Sequence, residues 1–553
     1  MQLKFRNLLT SRFLTYNIIF VLSAILLTPR YGTIDEFFIS DLINGNYTGA
    51  NEFILVFIQP LIGFLFQYMS YIMGVKSLYS IIIVEVLIVS LIIFERNLQF
   101  QSRKVDTVKA IFLLQAIFIL ITFVLLPTYT SAAVLIAIIN LININIIKYP
   151  EKPLELISSW IFIAIAISLR LEVIFIITIF LAIIIIINLI KGTRNSISKY
   201  LIGAALLVPI LIVNQIILYF SSTSSWNSYF LWNSFRHQLH NRIAQFRLDE
   251  ILIPGGWKPE EHNLFVDWAY GDPEIFNLNW IQIGYDYTSG LRGLQSIFNL
   301  DWSYFLFNIE RYGVIRNWLL LFILQITITF LLGSKLGLLK NFIISILVWV
   351  PSVLIFTYSA FFLLLPQRVI LPLLLLPLLL MISVQFKEVT SKNSHKSIWA
   401  IVFLMLILYS NQILNISREN RVEKQRNDLL LGELRAFDSK AVYLIPRCNN
   451  PYFSENPYNL AEKSRQVNIL NVGCWETFSP HWNKRKANFG LTSNSIYDDL
   501  FKKDVYWLGN YVPDTSINIE NLLRNKGETN FSREAVKELS GDYVLFKFSK
   551  NIS

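Results

Sequence analysis

Apolar runs long enough to cross a bilayer recur along this chain, and they constrain its fold more than any other feature. A transmembrane helix needs about 20 consecutive, mostly apolar residues, and runs of that kind recur between residues 13 and 414. The chain is 54% hydrophobic and only 16% charged over 553 residues, whereas a soluble protein carries roughly a quarter charged residues. The sequence therefore reads as a polytopic α-helical membrane protein. Its net charge of +10 does not require nucleic acid as a partner, because basic cytoplasmic loops are what orient membrane proteins.

The basic residues set the topology. Lys4, Arg6 and Arg12 hold the N-terminus in the cytoplasm, so a first span at about 13–28 exits with Asp35 outside. Thr28-Pro29-Arg30 lacks a small-x-small cleavage pattern, and the span reads as an uncleaved anchor. Phe53 to Met73 is long enough to cross, but crossing there would put Arg96, Arg103, Lys104 and Lys109 outside. The positive-inside rule instead leaves that stretch, broken by Gln59-Pro60, in or dipping into the outer leaflet. Ten further spans are predicted at about 77–94, 110–126, 130–147, 154–169, 173–190, 200–219, 317–332, 341–358, 369–385 and 397–414. This makes about 11 transmembrane helices in a membrane domain over 1–415, with external loops at 29–76 and 221–316. A charged helical pattern from Ser417 to Phe437 opens a region over 416–553, with β-like runs at Ala441–Ile445, Val467–Val472 and Tyr543–Phe548. That region is expected to be a small external α/β domain.

Polar and aromatic residues gather on the outer side, and the first external loop brings three carboxylates within seven residues: Asp35, Glu36 and Asp41. Thr33-x-x-Glu36 has capping-box spacing and predicts a helix running towards Asn44, ended by Gly45, Asn46 and Gly49. Two readings stand here. In one, Glu36 serves the cap and Asp35 gains from the helix N-terminus. In the other, Asp35 is a general base held at the membrane–water boundary. Arg170 and Glu172 flank a tight outer turn, either as a structural pair or as part of a site. Arg368, at a span entrance, either snorkels to the headgroups or binds an anion. Arg236, His237, His240 and Arg247 share an amphipathic stretch that reads as a solvated or headgroup-facing surface. Glu85 lies inside the second span, where an ionisable residue is paired or functional by default. Its expected partner is an inward-facing arginine, or it supports the outer site. The histidines and carboxylates match no zinc motif, and Cys448 and Cys474 read equally as a disulfide or as two buried thiols.

An N-terminal span, a first external loop opening with Ile34-Asp35-Glu36, and amphipathic segments before the second span resemble the GT-C superfamily. Its members are integral-membrane glycosyltransferases that use lipid-phosphate-linked sugars. The many further spans and the external α/β region continue the likeness. Asp41-Leu-Ile-Asn-Gly-Asn-Tyr-Thr-Gly49, Gln367-Arg368-Val369 and Ser479-Pro-His-Trp-Asn-Lys484 resemble bacterial members. The resemblance implies a multi-pass protein of the bacterial cytoplasmic (inner) membrane, with its C-terminal domain external or periplasmic. It also implies an inverting transfer from a polyprenyl-phosphate-linked sugar to a glycan, lipid or protein acceptor, among membrane lipids and without nucleic acid. The base of such a reaction falls on Asp35, with Glu36 as runner-up. The departing phosphate needs cationic stabilisation, for which Arg170 and Arg368 are the candidates, with Glu172, Glu85, His237 and Arg236 in support. Some members use a divalent cation, but no ligand set here is clear enough to assign one, and no other cofactor is implied. Two other classes compete. A polysaccharide polymerase or ligase acting on lipid-linked glycans would make Arg236 to Arg247 central. A transporter or lipid flippase would show internal repeats and midplane charges, which this sequence lacks apart from Glu85.

Overall fold

The apolar runs fold as helices, and one of them is sealed on every side. The computed structural model describes residues 2–73, 78–101, 106–147, 152–190, 198–221, 223–243, 257–291, 349, 395–446, 449–459, 466–510 and 514–551. The spans expected at 317–332, 341–358 (apart from Trp349) and 369–385, and the hairpin Phe361 to Arg368 between them, lie outside these residues. The described helices before that gap are α1 (Gln2–Leu26), α2 (Ile34–Ile43), α3 (Pro60–Met73), α4 (Leu78–Gln101), α5 (Asp106–Leu125) and α6 (Tyr129–Ile146). They continue with α7 (Pro153–Leu169), α8 (Val173–Ile190), α9 (Ser198–Ser221), α10 (Ser224–Ile243), α11 (Pro259–Val266) and α12 (Leu278–Leu291).

Seventeen of the 18 residues of α6 are buried, and it packs against α4, α7 and α8. A helix with no face on solvent is expected to be apolar all round. The exceptions on α6 are instructive, because Asn140 bonds Ser90 of α4 at 3.1 Å and Asn143 bonds Ser159 of α7 at 2.7 Å. Such bonds between apolar helices contribute about 0.6 kcal/mol each and fix register.

By length and hydropathy, Leu78–Asn97 and Tyr129–Ile146 can cross a bilayer, and the chain is a polytopic helical membrane protein. Ala205–Ser221 with Ser224–His240 would make a third span as a pair bent by 119°. Other apolar helices among the described residues, such as Pro153–Leu169, are shorter. The described part therefore carries two or three crossing-length elements, against about 11 expected for the whole chain. Within the stretch 53–73 only the 14 residues of α3 are helical, about 21 Å at 1.5 Å per residue. The segment before it turns back through a Leu55–Ile58 bridge, and Gln59 donates its main-chain N–H to Ser168 O at 2.8 Å. A side chain at Gly63 would meet Phe53 O at 2.1 Å, so glycine is what lets this segment lie on α3.

Beyond the gap, α13 runs unbroken for 44 residues from His395 to Asp438, about 66 Å. It passes straight through the boundary expected at 415/416, since neither glycine nor proline interrupts the join between the apolar span and the charged helix. A five-stranded sheet follows, formed by β1 (Val442–Ile445), β2 (Asn468–Asn471), β3 (Val505–Asn510), β4 (Phe531–Leu539) and β5 (Tyr543–Lys550) in the order β2-β1-β3-β5-β4. β1 is parallel to β2 and β3, and β5 is antiparallel to β3 and β4. Strand residues alternate between two faces. Val442, Leu444, Leu470, Trp507 and Phe546 share a core with α10, α11 and α12. Tyr443, Ile445, Ile469, Leu508 and Leu545 belong to the cluster that includes α13 and the first loop. Two helices, α14 (Pro480–Asn488) and α15 (Thr515–Asn525), complete the region. Cys474 is disulfide-bonded, not a free thiol; Cys448 lies outside the described residues.

Candidate active site

Helix α2 carries the three first-loop carboxylates, and nine of its ten residues are buried. Asp35 is 9% exposed, Asp41 3% and Glu36 1%. Gly32 makes this possible. Its N–H donates to Pro127 O at 3.1 Å, and a Cβ there would fall 2.3 Å from Thr128 Cγ2 and 2.7 Å from Pro127 O. Only a residue without a side chain lets the loop lie that close on the α5–α6 turn.

Thr33 is the N-cap of α2, but its side chain makes no cap bond to the helix backbone; its hydroxyl donates to the Glu36 carboxylate. Glu36 Oε1 instead accepts the main-chain N–H of Tyr129 at 2.8 Å. Tyr129 is the first residue of α6, so Glu36 does cap a helix, though not its own. A carboxylate is favourable at that N-terminus. The Tyr129 hydroxyl in turn accepts from Arg170 Nη1 at 2.9 Å. The Arg170 guanidinium lies over the rings of Phe57 and Tyr129 at 5.4 and 5.6 Å, and its Nε is 2.9 Å from Glu172. Arg170 is thus both the partner of Glu172 and a neighbour of the first loop.

Helix α14 holds the first loop from the other side. His481 Nε2 lies 2.9 Å from Ile54 O, Lys484 pairs with Glu52 at 3.0 Å, and Arg485 donates to Asn46 O and Tyr47 O at 2.9 and 3.1 Å. Burial pushes the His481 imidazole below its ordinary pKa. The residue that follows the stretch Ser479–Lys484, Arg485, thus holds Asn46 and Tyr47 of the stretch Asp41–Gly49.

The turn before α14 delivers a residue that the sequence reading missed. Glu476 is 1% exposed, and neither carboxylate oxygen is hydrogen-bonded to another described residue. Burial pushes its pKa well above the ordinary range; its own main-chain amide and Arg236 pull the other way, while Asp35 adds to the rise. Gly473 sits at φ +92°, and a Cβ there would meet Trp268 O at 2.0 Å, so this turn is pressed against the segment that carries Trp268. Nothing in the local sequence marks Glu476, because the residues that pack around its turn come from α2 and α10.

Arg236 is 1% exposed. Its Nε and Nη2 donate to Asn233 Oδ1 at 2.9 and 2.7 Å and Nη1 to the Tyr270 hydroxyl at 3.3 Å; the guanidinium lies 5.2 Å from the Trp268 ring centre. His240 is 8% exposed, against the rings of Phe265 and Trp268. The expected solvated or headgroup-facing surface is therefore corrected for both residues: α10 packs against α12 and α14, and its polar face is turned into an aromatic core. His237 stays exposed, and Arg247 lies outside the described residues. Tyr229, also on α10, donates its hydroxyl to Trp475 O, and the Trp475 ring meets that of Phe38 on α2 at 6.0 Å. The segments that carry Asp35, Arg236 and Glu476 thus meet around Trp475, and Tyr270 bridges Arg236 to Cys474 O.

Glu85 is half-buried beside Asn17 of α1, and among the described residues no arginine pairs with it; Arg12 pairs with Glu95, at 3.2 Å. Arg368 lies outside the described residues. Among the described residues no group of three His, Cys, Asp or Glu side chains is arranged to hold a metal ion, and no chemical step is derived through one.

No protein-family model matches the chain, and no curated protein matches it. Among solved structures it is similar to ArnT from Cupriavidus metallidurans in the apo state, at 11% identity and a TM-score of 0.39, over 97% of each chain. Identity and overlap at that level decide nothing about the chemistry of this chain.

Proposed function

We propose that this protein is a membrane glycosyltransferase that moves a sugar from a polyprenyl-phosphate donor to an acceptor hydroxyl at the outer face of the bacterial inner membrane, with inversion. Asp35 takes the proton of the acceptor hydroxyl as its oxygen bonds to the anomeric carbon. The bond from that carbon to the phosphate oxygen breaks, and polyprenyl phosphate leaves with the electron pair. Arg170 steadies the developing phosphate charge, with Arg368 as its expected partner. Burial raises the pKa of the Glu476 carboxyl, on the turn packed against α2, and so disfavours a second negative charge near the site.

The observation that supports this reading is the packing of α2, α10 and the turn before α14, which carry Asp35, Arg236 and Glu476, around Trp475, with Arg170 linked to Glu36 of α2 through Tyr129. Ionisable groups with perturbed pKa values cluster at functional sites. Purified protein is to be incubated with a panel of polyprenyl-phosphate sugars and scored for release of polyprenyl phosphate. Release from at least one donor is expected, and inertness towards the whole panel overturns the reading.

A further inference from the structure

We propose that the cavity between α13 and the carboxyl ends of β1 and β3 binds a neutral, hydroxyl-rich carbohydrate and is where an acceptor glycan rests; the acceptor role depends on the transferase reading. The cavity holds about 720 Å³, inside the roughly 300–1,000 Å³ of small-molecule sites. Its position follows from the sheet. Where parallel strands lie side by side, the space beyond their carboxyl ends is left open for ligands. Asn449 follows β1 and Asn510 ends β3, and both line the cavity.

The lining names the ligand class. Two arginines and two glutamates cancel in charge, and five asparagines supply most of the remaining polar surface. A polyanion site would show an excess of cations, and a lipid-chain site would have apolar walls. Side-chain amides offer a donor and an acceptor side by side, which matches neighbouring hydroxyls on a sugar ring. Asn427 is only 9% exposed, and among the described residues no protein group is hydrogen-bonded to its amide or to the side chains of Asn449 and Asn510. Phe453 and Tyr543 add aromatic surface for the apolar face of a ring. Glu423 in the wall pairs with Arg30 at 3.2 Å, and Arg30 lies over Phe453 at 4.8 Å. Arg30 belongs to the same short loop as Asp35, so the cavity wall is tied directly to the candidate site.

The test uses the full chain in nanodiscs with lactose, maltotriose and N,N′-diacetylchitobiose as neutral probes and glucose 6-phosphate as the anionic one, read by saturation-transfer NMR and titration calorimetry. At least one neutral saccharide is expected to bind, and Asn449→Ala with Asn510→Ala together should weaken it about tenfold at unchanged melting temperature. Should the double variant unfold, Asn449→Ala alone, at an exposed position, carries the comparison. Failure of every neutral probe, preference for glucose 6-phosphate, or undiminished binding in the variants overturns the site. Saccharide binding in a protein that releases no polyprenyl phosphate from any donor upholds the carbohydrate site and overturns its acceptor role. Donor turnover without saccharide binding upholds the transferase and overturns the site.

Discussion

Arg170 and Glu36 are joined through one residue: Tyr129 accepts from Arg170 on its hydroxyl at 2.9 Å and gives its main-chain N–H to Glu36 at 2.8 Å. The C-terminal end of α7 and the start of α2 are therefore held to the same point at the head of α6. A shift of any one of the three moves the other two.

Arg170→Lys tests whether this cation serves the donor. Lysine keeps the charge but loses the planar fork and its reach to Tyr129. Losing one charged hydrogen bond costs about 1.5–3 kcal/mol, so the KM for a polyprenyl-phosphate donor should rise at least about tenfold. An unchanged KM with a lowered melting temperature would assign Arg170 to structure alone.

Asp35→Asn should lower transfer by roughly 10²–10⁴-fold, the usual contribution of a positioned base, with donor binding retained. Glu36→Gln should cost about tenfold or less, because the amide oxygen can still accept from Tyr129 N–H and loses only a charge at a helix N-terminus. Single-turnover assays of both variants decide the assignment. Full activity in Asp35→Asn beside a dead Glu36→Gln hands the role to Glu36.

Glu476 makes stability depend on pH in a definite direction. Its folded-state pKa is raised by burial, so the folded protein keeps a proton that the unfolded chain has lost above about pH 4. That contribution is complete below the unfolded pKa and declines as pH rises towards the folded value, by at most about 1.4 kcal/mol per pH unit. Glu476→Gln removes this slope and should match or exceed wild-type stability at neutral pH. Melting temperatures of both proteins between pH 4 and 8 check it; parallel curves would show that Glu476 is ionised in the fold.

Gly32→Ala puts a methyl group into contact with Thr128 Cγ2 and Pro127 O. Overpacking of this kind costs about 1–3 kcal/mol and should displace α2, lowering both the melting temperature and transfer. Adding Thr128→Ser removes Cγ2 while keeping the hydroxyl that caps α6 through Ser131 N. The second change should restore part of the loss, and no recovery would place the strain elsewhere.

The helix over α2 was legible from the spacing of Thr33 and Glu36, although neither side chain caps it in the fold. The partner of Glu36 was not, since Tyr129 is 93 residues away and no local pattern points to it. Strands β1, β2 and β5 stood out as short apolar runs. β4 did not: with Arg533, Glu534, Lys537 and Glu538 along an edge strand of mostly accessible residues, it lacks the alternation that burial of one face imposes.

Sequence by itself determined that this is a membrane protein of many apolar helices with its polar residues gathered in a few loops, because hydropathy and charge act residue by residue. It also located the acidic first loop, whose glycine and capping residues are local signals. Only the tertiary structure decided that α10 turns Arg236 and His240 inward, and that the turn carrying Glu476 packs against α2. The reason is physical: burial and electrostatic neighbours are properties of what packs against a residue, and here those neighbours come from segments hundreds of residues apart.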